Sequence, residues 1–482
     1  MLETLKPYYI YFFSFLFIVL NSILIANEFY YLAIVPFVLA IVYLALYDVE
    51  KLMWFIVFTT PISMNLEELS LGGIGMYLPT EPLMFGVMIL FFLKLIADKK
   101  FDAKIMKHPV TIIILLQLGW VLFTSITSEM PVVSLKFLLS RLWFVVSFYF
   151  IGTQLFKKLS NYKVFFWCYL IPLAAVVIYA VVRLSTYSFN EKAAHWVMEP
   201  FFKDHTSYGA ILAMFVPIPF IFLAKAEKYS TKVLAVIFLS IMVIGTIFSY
   251  TRAAWVSLVV ALVLYLIYKY KIKFKLLASI GLVGLIILAL NWNNLMMDLE
   301  RNNQDSSANL SEHVQSISNV STDASNLERI NRWTSAWLMF LERPIVGWGP
   351  GTYVFQYAPF QLSRNKTIIS TNVGNNGNAH SEYIGPLAEQ GLIGSLLVII
   401  LISMVFYKGS ALYHRLPKGE MKTVVLFTLL GLFTYVIHGF LNNYLDTDKA
   451  SVPFWGFIAL IVAIDVYHSP KVESDLLETK TK

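Results

Sequence analysis

Arginine, histidine and glycine are concentrated between residues 327 and 394 of this chain. Arg329 and Arg332 lie three residues apart on a predicted helix, a glycine-rich turn follows at 347–351, and His380 precedes an apolar run. Residues three apart on a helix lie near one face. Cationic groups beside one titratable imidazole suit chemistry on an anionic, lipid-linked substrate.

His380 is the candidate base. Its motif, NAHSEY, opens the helix of the next apolar run. An imidazole is the side chain whose ordinary pKa lets it accept a proton near neutral pH. No His or Asp stands nearby at metal-ligand spacing, so the pattern does not favour a metal site. The alternative interpretation is a histidine that caps a span at the membrane interface.

Arg252, Arg141 and Arg332 can each be interpreted as a functional or as a structural residue. Arg252, in SYTRAAW at the end of a span, could hold a phosphate through its two-pronged guanidinium or snorkel to lipid headgroups. Arg141, in LLSRLWFVV, lies inside a span, where an arginine is a functional candidate or pairs with a carboxylate of another helix. For Arg332, an ordinary solvated charge is the favoured interpretation.

Three carboxylates near these groups are secondary candidates for orienting the base or an acceptor: Glu382, Glu389 and Asp446. Asp446 and Asp448 form the nearest approach to a metal-binding Asp-x-Asp motif. They lie in a short loop without any sign of a nucleotide site, so we expect no metal and no cofactor.

The composition indicates a membrane protein. Of the 482 residues, 58% are hydrophobic and 14% are charged, a balance that soluble domains rarely have. The net charge of +7 does not point to nucleic acid, because the lysines are collected in short loops between apolar runs. Cys168, the single cysteine, excludes a disulfide framework.

The hydropathy pattern predicts an all-α polytopic membrane protein with about 12–14 transmembrane helices. The predicted spans are 8–26, 29–47, 52–64, 77–95, 109–127, 134–156, 162–182, 206–224, 231–249, 252–270, 274–291, 385–407, 423–441 and 451–467. The third is short enough to be re-entrant or interfacial. The predicted organisation is an N-terminal bundle of about 11 spans (1–291), an extracytoplasmic catalytic loop (292–384), three C-terminal spans (385–467) and a cytoplasmic tail (468–482).

Lysine and arginine are enriched in the loops that follow even-numbered spans, as at 99–107, 225–228 and 408–422. Because such loops face the cytoplasm, both termini are predicted to be cytoplasmic and the 292–384 loop extracytoplasmic.

The large loop has two predicted parts. The polar stretch 302–325 is expected to be mobile or poorly packed. After it, Ser325 and Glu328 have capping-box spacing at the start of a helix that Pro344 ends. The apolar stripe of that helix is expected to lie against the membrane surface or the helix bundle; its members are Ile330, Trp333, Trp337 and Leu341.

Three motifs occur in order around this loop: SYTRAAWVSL with Arg252, ERINRWTSAWLMFLERPIVGWGPGTY with Arg329, and NAHSEYIGPLAEQGLIG with His380. Together they resemble the O-antigen ligase/polymerase family of bacterial envelope glycosyltransferases, over roughly residues 236 to 400. The remaining spans are similar only as a multi-span bundle.

The resemblance implies a metal-independent glycosyltransferase of the bacterial inner membrane, active on the periplasmic face. Its donor would be a glycan on undecaprenyl diphosphate, and its acceptor a lipid-linked or glycan-linked sugar hydroxyl. Arg252 and Arg329 would bind the diphosphate, and His380 would be the base. The other expected partners are membrane lipids and further envelope-assembly proteins.

Ligase-type transfer is favoured over repeat-unit polymerisation, although the motifs are shared. A transporter for a lipid-linked oligosaccharide should instead carry charges in several spans and pseudo-repeated halves. A scaffolding protein would leave the context of Arg329 and His380 unexplained.

Overall fold

The apolar runs fold as helices throughout the part of the chain that is described. The structure, a computed structural model, describes residues 2–66, 75–272, 286, 290–291, 324–363, 366, 370 and 377–469. Close backbone contacts divide the chain into two units, residues 1–55 and 56–482. The first unit contains α1 (Leu2–Ala26), α2 (Tyr31–Tyr47) and the start of α3 (Val49–Thr59). None of the α2 side chains is buried, although nearly all are apolar, which is typical of a helix surrounded by lipid.

The second unit holds the elements that build the candidate site. Its helices up to residue 272 are α4 (Thr80–Asp98), α5 (Ala103–Met106), α6 (Pro109–Ile126), α7 (Pro131–Val145), α8 (Gly152–Leu155), α9 (Asn161–Ser185), α10 (Glu191–Ala194), α11 (His205–Phe215), α12 (Pro219–Lys225), α13 (Tyr229–Phe248) and α14 (Arg252–Tyr270). The later helices are α15 (Ala324–Glu342), α16 (Tyr353–Gln356), α17 (Ile384–Arg415), α18 (Glu420–His438) and α19 (Asp448–Tyr467).

The irregular elements are short. The 3₁₀ turns are Thr60–Ile62 and Ala358–Phe360, and a π-helical stretch, Val146–Ile151, joins α7 to α8. One antiparallel pair of two-residue strands, β1 (Met64–Asn65) and β2 (Tyr77–Leu78), is present among the described residues.

Ten described helical segments are long and apolar enough to cross a membrane. They are Thr80–Asp98, Pro109–Ile126, Pro131–Leu155, Asn161–Ser185, His205–Lys225, Tyr229–Phe248, Arg252–Tyr270, Ile384–Arg415, Glu420–His438 and Asp448–Tyr467. Two shorter apolar helices, Tyr11–Ala26 and Tyr31–Tyr47, coincide with the first two predicted spans. The predicted class, an all-α polytopic membrane protein, is confirmed.

One predicted span is too short to cross a bilayer, and three other predicted segments lie almost entirely outside the described residues. The third predicted span folds as the 11-residue helix α3 and a 3₁₀ turn, too short to cross a bilayer as a helix. The eleventh, 274–291, and the polar stretch 302–325 lie almost entirely outside the described residues, as does the tail beyond residue 469.

The loop helix α15 agrees with the prediction at its end but not at its start. It ends at Glu342, two residues before Pro344, and is already helical at Ala324, one residue before the predicted N-cap. Its buried face carries Ala336 and Met339, which pack in one core with Ala388 of α17. Trp337 and Leu341, of the predicted apolar stripe, are not covered by the helix bundle, and the predicted contact with the membrane surface stays a prediction.

The helices α11, α15, α17 and α18 each have one end at or next to the polar cavity described below. α14 and α11 pack on α18, and α15 packs on α17. α17 is kinked at Gly391, whose φ of +68° is a left-handed conformation that favours glycine. At the kink the Leu392 amide donates to the Pro344 carbonyl at 2.9 Å, so the end of the loop helix is fixed to this span.

Candidate functional site

A polar cavity of about 630 Å³ lies where α15, the segment before α17 and the segment after α18 meet the start of α11. Its charged side chains are Lys203, Asp204, Arg329, Asp446 and Lys449, and its uncharged polar ones include Asn378, His380, Asn442 and Asn443. Two predicted residues, Arg329 and His380, therefore lie on the same cavity although 51 positions separate them in the sequence.

His380 stands in the connection before α17 rather than at the start of that helix, which begins at Ile384. Its φ of +49° is left-handed, which is uncommon for a residue with a side chain. The side chain of Asn378 accepts a hydrogen bond from the His380 amide at 3.0 Å and holds this turn. The prediction that His380 opens the helix was wrong, because this turn and not the helix sets its backbone.

Burial, together with the positive charges of Arg329 and Arg332, lowers the pKa of His380 to about 4. The imidazole is therefore neutral at physiological pH and able to accept a proton. The carboxylates of Glu328 and Asp204 act in the opposite direction and raise its pKa.

Arg329 reaches the cavity from the first turns of α15. Its Nε donates to the carbonyl oxygen of Leu441 at 3.2 Å, which joins the loop helix to the segment after α18. The guanidinium also faces the cavity, where it adds positive charge beside His380. A guanidinium placed in this way suits a phosphate ligand.

Arg332 is not the solvated charge that the sequence favours, since the residue is only 2% exposed. Its Nε donates to Glu328 Oε1 at 2.6 Å, and its guanidinium lies over the Tyr357 ring at 4.2 Å. The same guanidinium occupies the space beside the Gly377 Cα, where a side chain would collide with it. Arg332 therefore positions the segment that leads to His380.

Glu382 joins the two segments that border the cavity. Its Oε1 accepts hydrogen bonds from the Tyr435 hydroxyl at 2.7 Å and from the amides of Tyr444 and Leu445 at 2.8 and 3.0 Å. Its own amide donates to the Gly439 carbonyl at 2.8 Å. Burial raises the pKa of Glu382, and the hydrogen bond from Tyr435 opposes this. The Oε1 oxygen therefore holds the two segments together.

Glu389 of α17 also holds neighbouring segments in place through hydrogen bonds. Its carboxylate accepts from the Tyr353 amide at 3.0 Å, and its carbonyl accepts from the Gly349 amide at 2.8 Å. These bonds hold the glycine-rich turn against the span. Gly349 has a φ of +114°, a conformation that favours glycine. In addition, a side chain at this position would overlap the Ser128 hydroxyl.

A second, smaller cavity of about 150 Å³ contains Arg141 with the carboxylates Glu382, Glu389 and Asp446. The two cavities share Asn378, Asn443 and Asp446 along their walls. Asp446 is exposed inside this space, yet desolvation by the surrounding protein raises its pKa, while Arg141 and Lys203 oppose the rise. Within the described part of the chain, no carboxylate forms an ion pair with Arg141, whose guanidinium lies 5.4 Å from the Phe137 ring.

Arg252 begins α14 and is half-buried. It is not one of the described residues that line either cavity. The preceding residue, Thr251, donates to the His205 carbonyl at 2.8 Å, and His205 follows the cavity residue Asp204. Arg252 thus starts from a turn that is attached to the border of the cavity.

Comparison with known protein families shows which family part of this chain resembles. Residues 235–399, 165 of the 482, match the family model described as O-antigen ligase. This segment is therefore similar to the O-antigen ligase family. The match agrees with an O-antigen ligase/polymerase-type enzyme in a multi-pass inner-membrane protein. A search of curated proteins finds no match to the chain.

The O-antigen ligase segment contains Arg252, Arg329, Arg332 and His380 but does not complete the cavity. The remaining polar wall comes from residues outside that segment: Lys203, Asp204, Asn442, Asn443, Asp446 and Lys449. Asp446 is a predicted candidate, whereas the other five were not predicted. These residues could have been predicted from their positions. Each lies at or near the end of a predicted span, on the side of the membrane where the predicted topology also places His380.

Asp204 illustrates such a signal. It is the N-cap of α11, and its Oδ1 accepts from the amides of Thr206 and Ser207 at 2.9 and 2.7 Å. The sequence DHTS before an apolar run is a helix-start pattern. Because capping fixes Asp204 at the end of the span, it also fixes the border of the cavity.

Asp448 and Lys449 form a buried pair, 3.7 Å apart, beside this cavity. The Lys449 ammonium donates to the carbonyls of Thr60 and Ser63 at 2.6 and 2.8 Å, and Asp448 accepts from Thr80 at 2.6 Å. The second carboxylate of the Asp-x-Asp motif is thus held by protein groups. Within the described ranges, no three His, Cys, Asp or Glu side chains are grouped to hold a metal ion.

Proposed function

We propose that this protein transfers a glycan from undecaprenyl diphosphate to a sugar hydroxyl of a lipid-linked acceptor, without a metal ion, on the periplasmic face of the inner membrane. Both termini would then be cytoplasmic. The observation that carries the proposal is the presence of Arg329 and His380 on one polar cavity, within a segment that matches the O-antigen ligase family.

The reaction is a substitution at the anomeric carbon. The acceptor oxygen forms a bond to that carbon while the bond to the diphosphate oxygen breaks, and the acceptor proton passes to His380. Negative charge then grows on the leaving diphosphate, where Arg329 stabilises it, with Arg252 as the second proposed cation. Fixed charges placed where charge develops usually contribute the largest share of catalysis.

Binding of the donor would raise the pKa of His380 and so make it a stronger base. Without it, Arg329 and Arg332 contribute to the low pKa of His380, which makes the imidazole a weak base. A bound diphosphate next to Arg329 brings negative charge into the same cavity and offsets that positive charge. The pKa of His380 therefore rises when the donor is present, and proton transfer becomes easier at the moment it is needed.

The secondary residues divide into three groups. Asp446 is exposed in the cavity, so it is placed to orient the acceptor hydroxyl. Glu382, Glu389 and Arg332 already bond to protein groups, which supports positioning roles. Arg141 lies in the adjoining cavity, where it balances the carboxylates.

The proposal is tested by deleting the gene and complementing it with wild type, His380→Ala or Arg329→Lys. Lysine keeps the charge but loses the two-pronged geometry. Matched controls are His414→Ala, at the far end of α17, and Arg343→Lys, an ion-paired arginine on the same loop. Surface glycan and lipid-linked glycan are then separated by size.

If the deletion strain accumulates long chains on the undecaprenyl carrier while its surface acceptor stays bare, the protein is a ligase. We then expect His380→Ala to lose the ligase activity and Arg329→Lys to reduce it. Single repeat units on the acceptor would indicate a polymerase. Lipid-linked glycan trapped on the cytoplasmic face would indicate a transporter and overturn the proposal. Full activity of His380→Ala would remove the base assignment.

A further inference from the structure

One face of α15 carries large apolar side chains that the protein does not cover. Trp337 and Leu341, four residues apart on this helix, are 50% and 56% exposed, and Ile345, three residues after the helix ends, is 65% exposed. The core packing of this helix uses another face, with Ala336 and Met339 against the span α17. The exposed side chains are therefore not required to attach the helix.

These residues belong to a row that begins at the cavity. Arg329, which lines the cavity, is followed at intervals of four by Trp333, Trp337 and Leu341. Side chains four apart are neighbours on a helix surface. We call Trp333, Trp337, Leu341 and Ile345 the apolar ridge; one end of it is a single helical turn from Arg329.

The other end of the ridge reaches a membrane span. Ile345 lies against the kink of α17, where its carbonyl closely approaches the Gly391 Cα and the Leu392 amide bonds to Pro344. Just beyond the kink, Leu392 and Ile393 are exposed on a helix long and apolar enough to cross the bilayer. Exposed apolar side chains thus occur on the loop helix, at Ile345 after its end, and on this span just beyond the kink.

We infer that the apolar ridge binds the polyprenyl chain of the donor and guides it from the bilayer to the cavity, with the diphosphate at Arg329. The inference rests on the proposed function for the identity of the donor. A diphosphate with a long hydrocarbon chain needs a cationic site and an apolar track that meet, and Arg329 and the ridge are arranged in that way. Burial of the chain against Trp337 and Leu341 removes apolar surface from water.

The test compares two probes on the full-length protein in detergent, undecaprenyl diphosphate and the ten-carbon geranyl diphosphate. The variant is Trp337→Ser/Leu341→Ser, whose exposed positions leave the core intact. The matched control is Leu262→Ser on α14, because Leu262 is also 56% exposed. Unfolding temperatures of all three proteins verify that they are folded.

We expect the double variant to bind undecaprenyl diphosphate about tenfold more weakly, the factor that corresponds to one lost leucine-sized contact. Binding of geranyl diphosphate should be unchanged, and Leu262→Ser should bind both probes like wild type. A polyprenyl diphosphate with a photoreactive group on its chain should label the peptide 333–345.

Equal affinities of wild type and double variant for the long-chain probe would overturn the inference. So would labelling of the ridge by a phospholipid with a photoreactive tail but not by the polyprenyl probe, since the ridge would then be only a membrane contact. If the ridge binds the prenyl chain but the protein transfers no glycan, the inference stands and the proposed function fails.

Discussion

The ion pair between Arg332 and Glu328 is buried, so breaking it should cost more stability than breaking an exposed pair. A solvated pair contributes about 0–1 kcal/mol to stability. The side chains of this pair are only 3% and 7% exposed, and Nε and Oε1 are 2.6 Å apart. Breaking a buried pair leaves one charge without its counterion and costs about 3–5 kcal/mol.

We therefore expect Arg332→Met to lower the free energy of unfolding by about 3–5 kcal/mol. Adding Glu328→Gln to this variant removes the isolated charge, so we expect part of the loss, about 2 kcal/mol, to be recovered. Unfolding of the purified protein in mixed micelles measures both values. Arg343→Lys serves as the control, because Arg343 pairs with Glu129 at a partly exposed site. A loss of less than about 1 kcal/mol in Arg332→Met would refute the buried-pair argument.

Three further predictions concern the neighbourhood of His380. Burial and nearby arginines lower its pKa to about 4, so the unfolded chain binds the proton more readily between pH 4 and about 6.5. The wild type should lose stability as the pH falls through that window, and His380→Asn should lose less; identical pH profiles would contradict this. Glu382→Ala leaves three donors without their acceptor and should cost at least about 3 kcal/mol of unfolding free energy, whereas a cost below about 1 would mean that water replaces the carboxylate. Gly349→Ala should destabilise by more than about 2 kcal/mol because of its left-handed φ and the contact with Ser128, while Gly86→Ala, with open space around it, should not destabilise.

The helices are the part of this protein that the sequence determined most completely. Runs such as Tyr229–Phe248 and Arg252–Tyr270 are long and apolar, and backbone groups in lipid must be satisfied within the segment. Length and hydropathy therefore suffice to predict such helices. The loop helix was also predictable at its end, where Pro344 cannot continue the hydrogen-bond ladder.

The candidate site was predictable in its residue types but not in its arrangement. The sequence of 327–394 singled out Arg329 and His380 because their chemistry is uncommon in so apolar a chain. It could not assign Arg332 to a buried pair, since that depends on how Glu328 and Gly377 are placed around the guanidinium. It also could not place Asp204 and Asn443 on one cavity, because they come from segments far apart in the chain.

Only the tertiary structure decided which polar groups act as supports and which face the cavity. Glu382 and Glu389 have the same side chain as any surface glutamate, yet each accepts backbone amides that α17 and its neighbours bring to it. Likewise, the stripe on α15 is apolar in sequence, but the packing of Ala336 and Met339 against α17 left Trp337 and Leu341 uncovered. Hydropathy is a property of a residue and can be read locally, whereas burial and hydrogen bonding depend on which distant segments pack together.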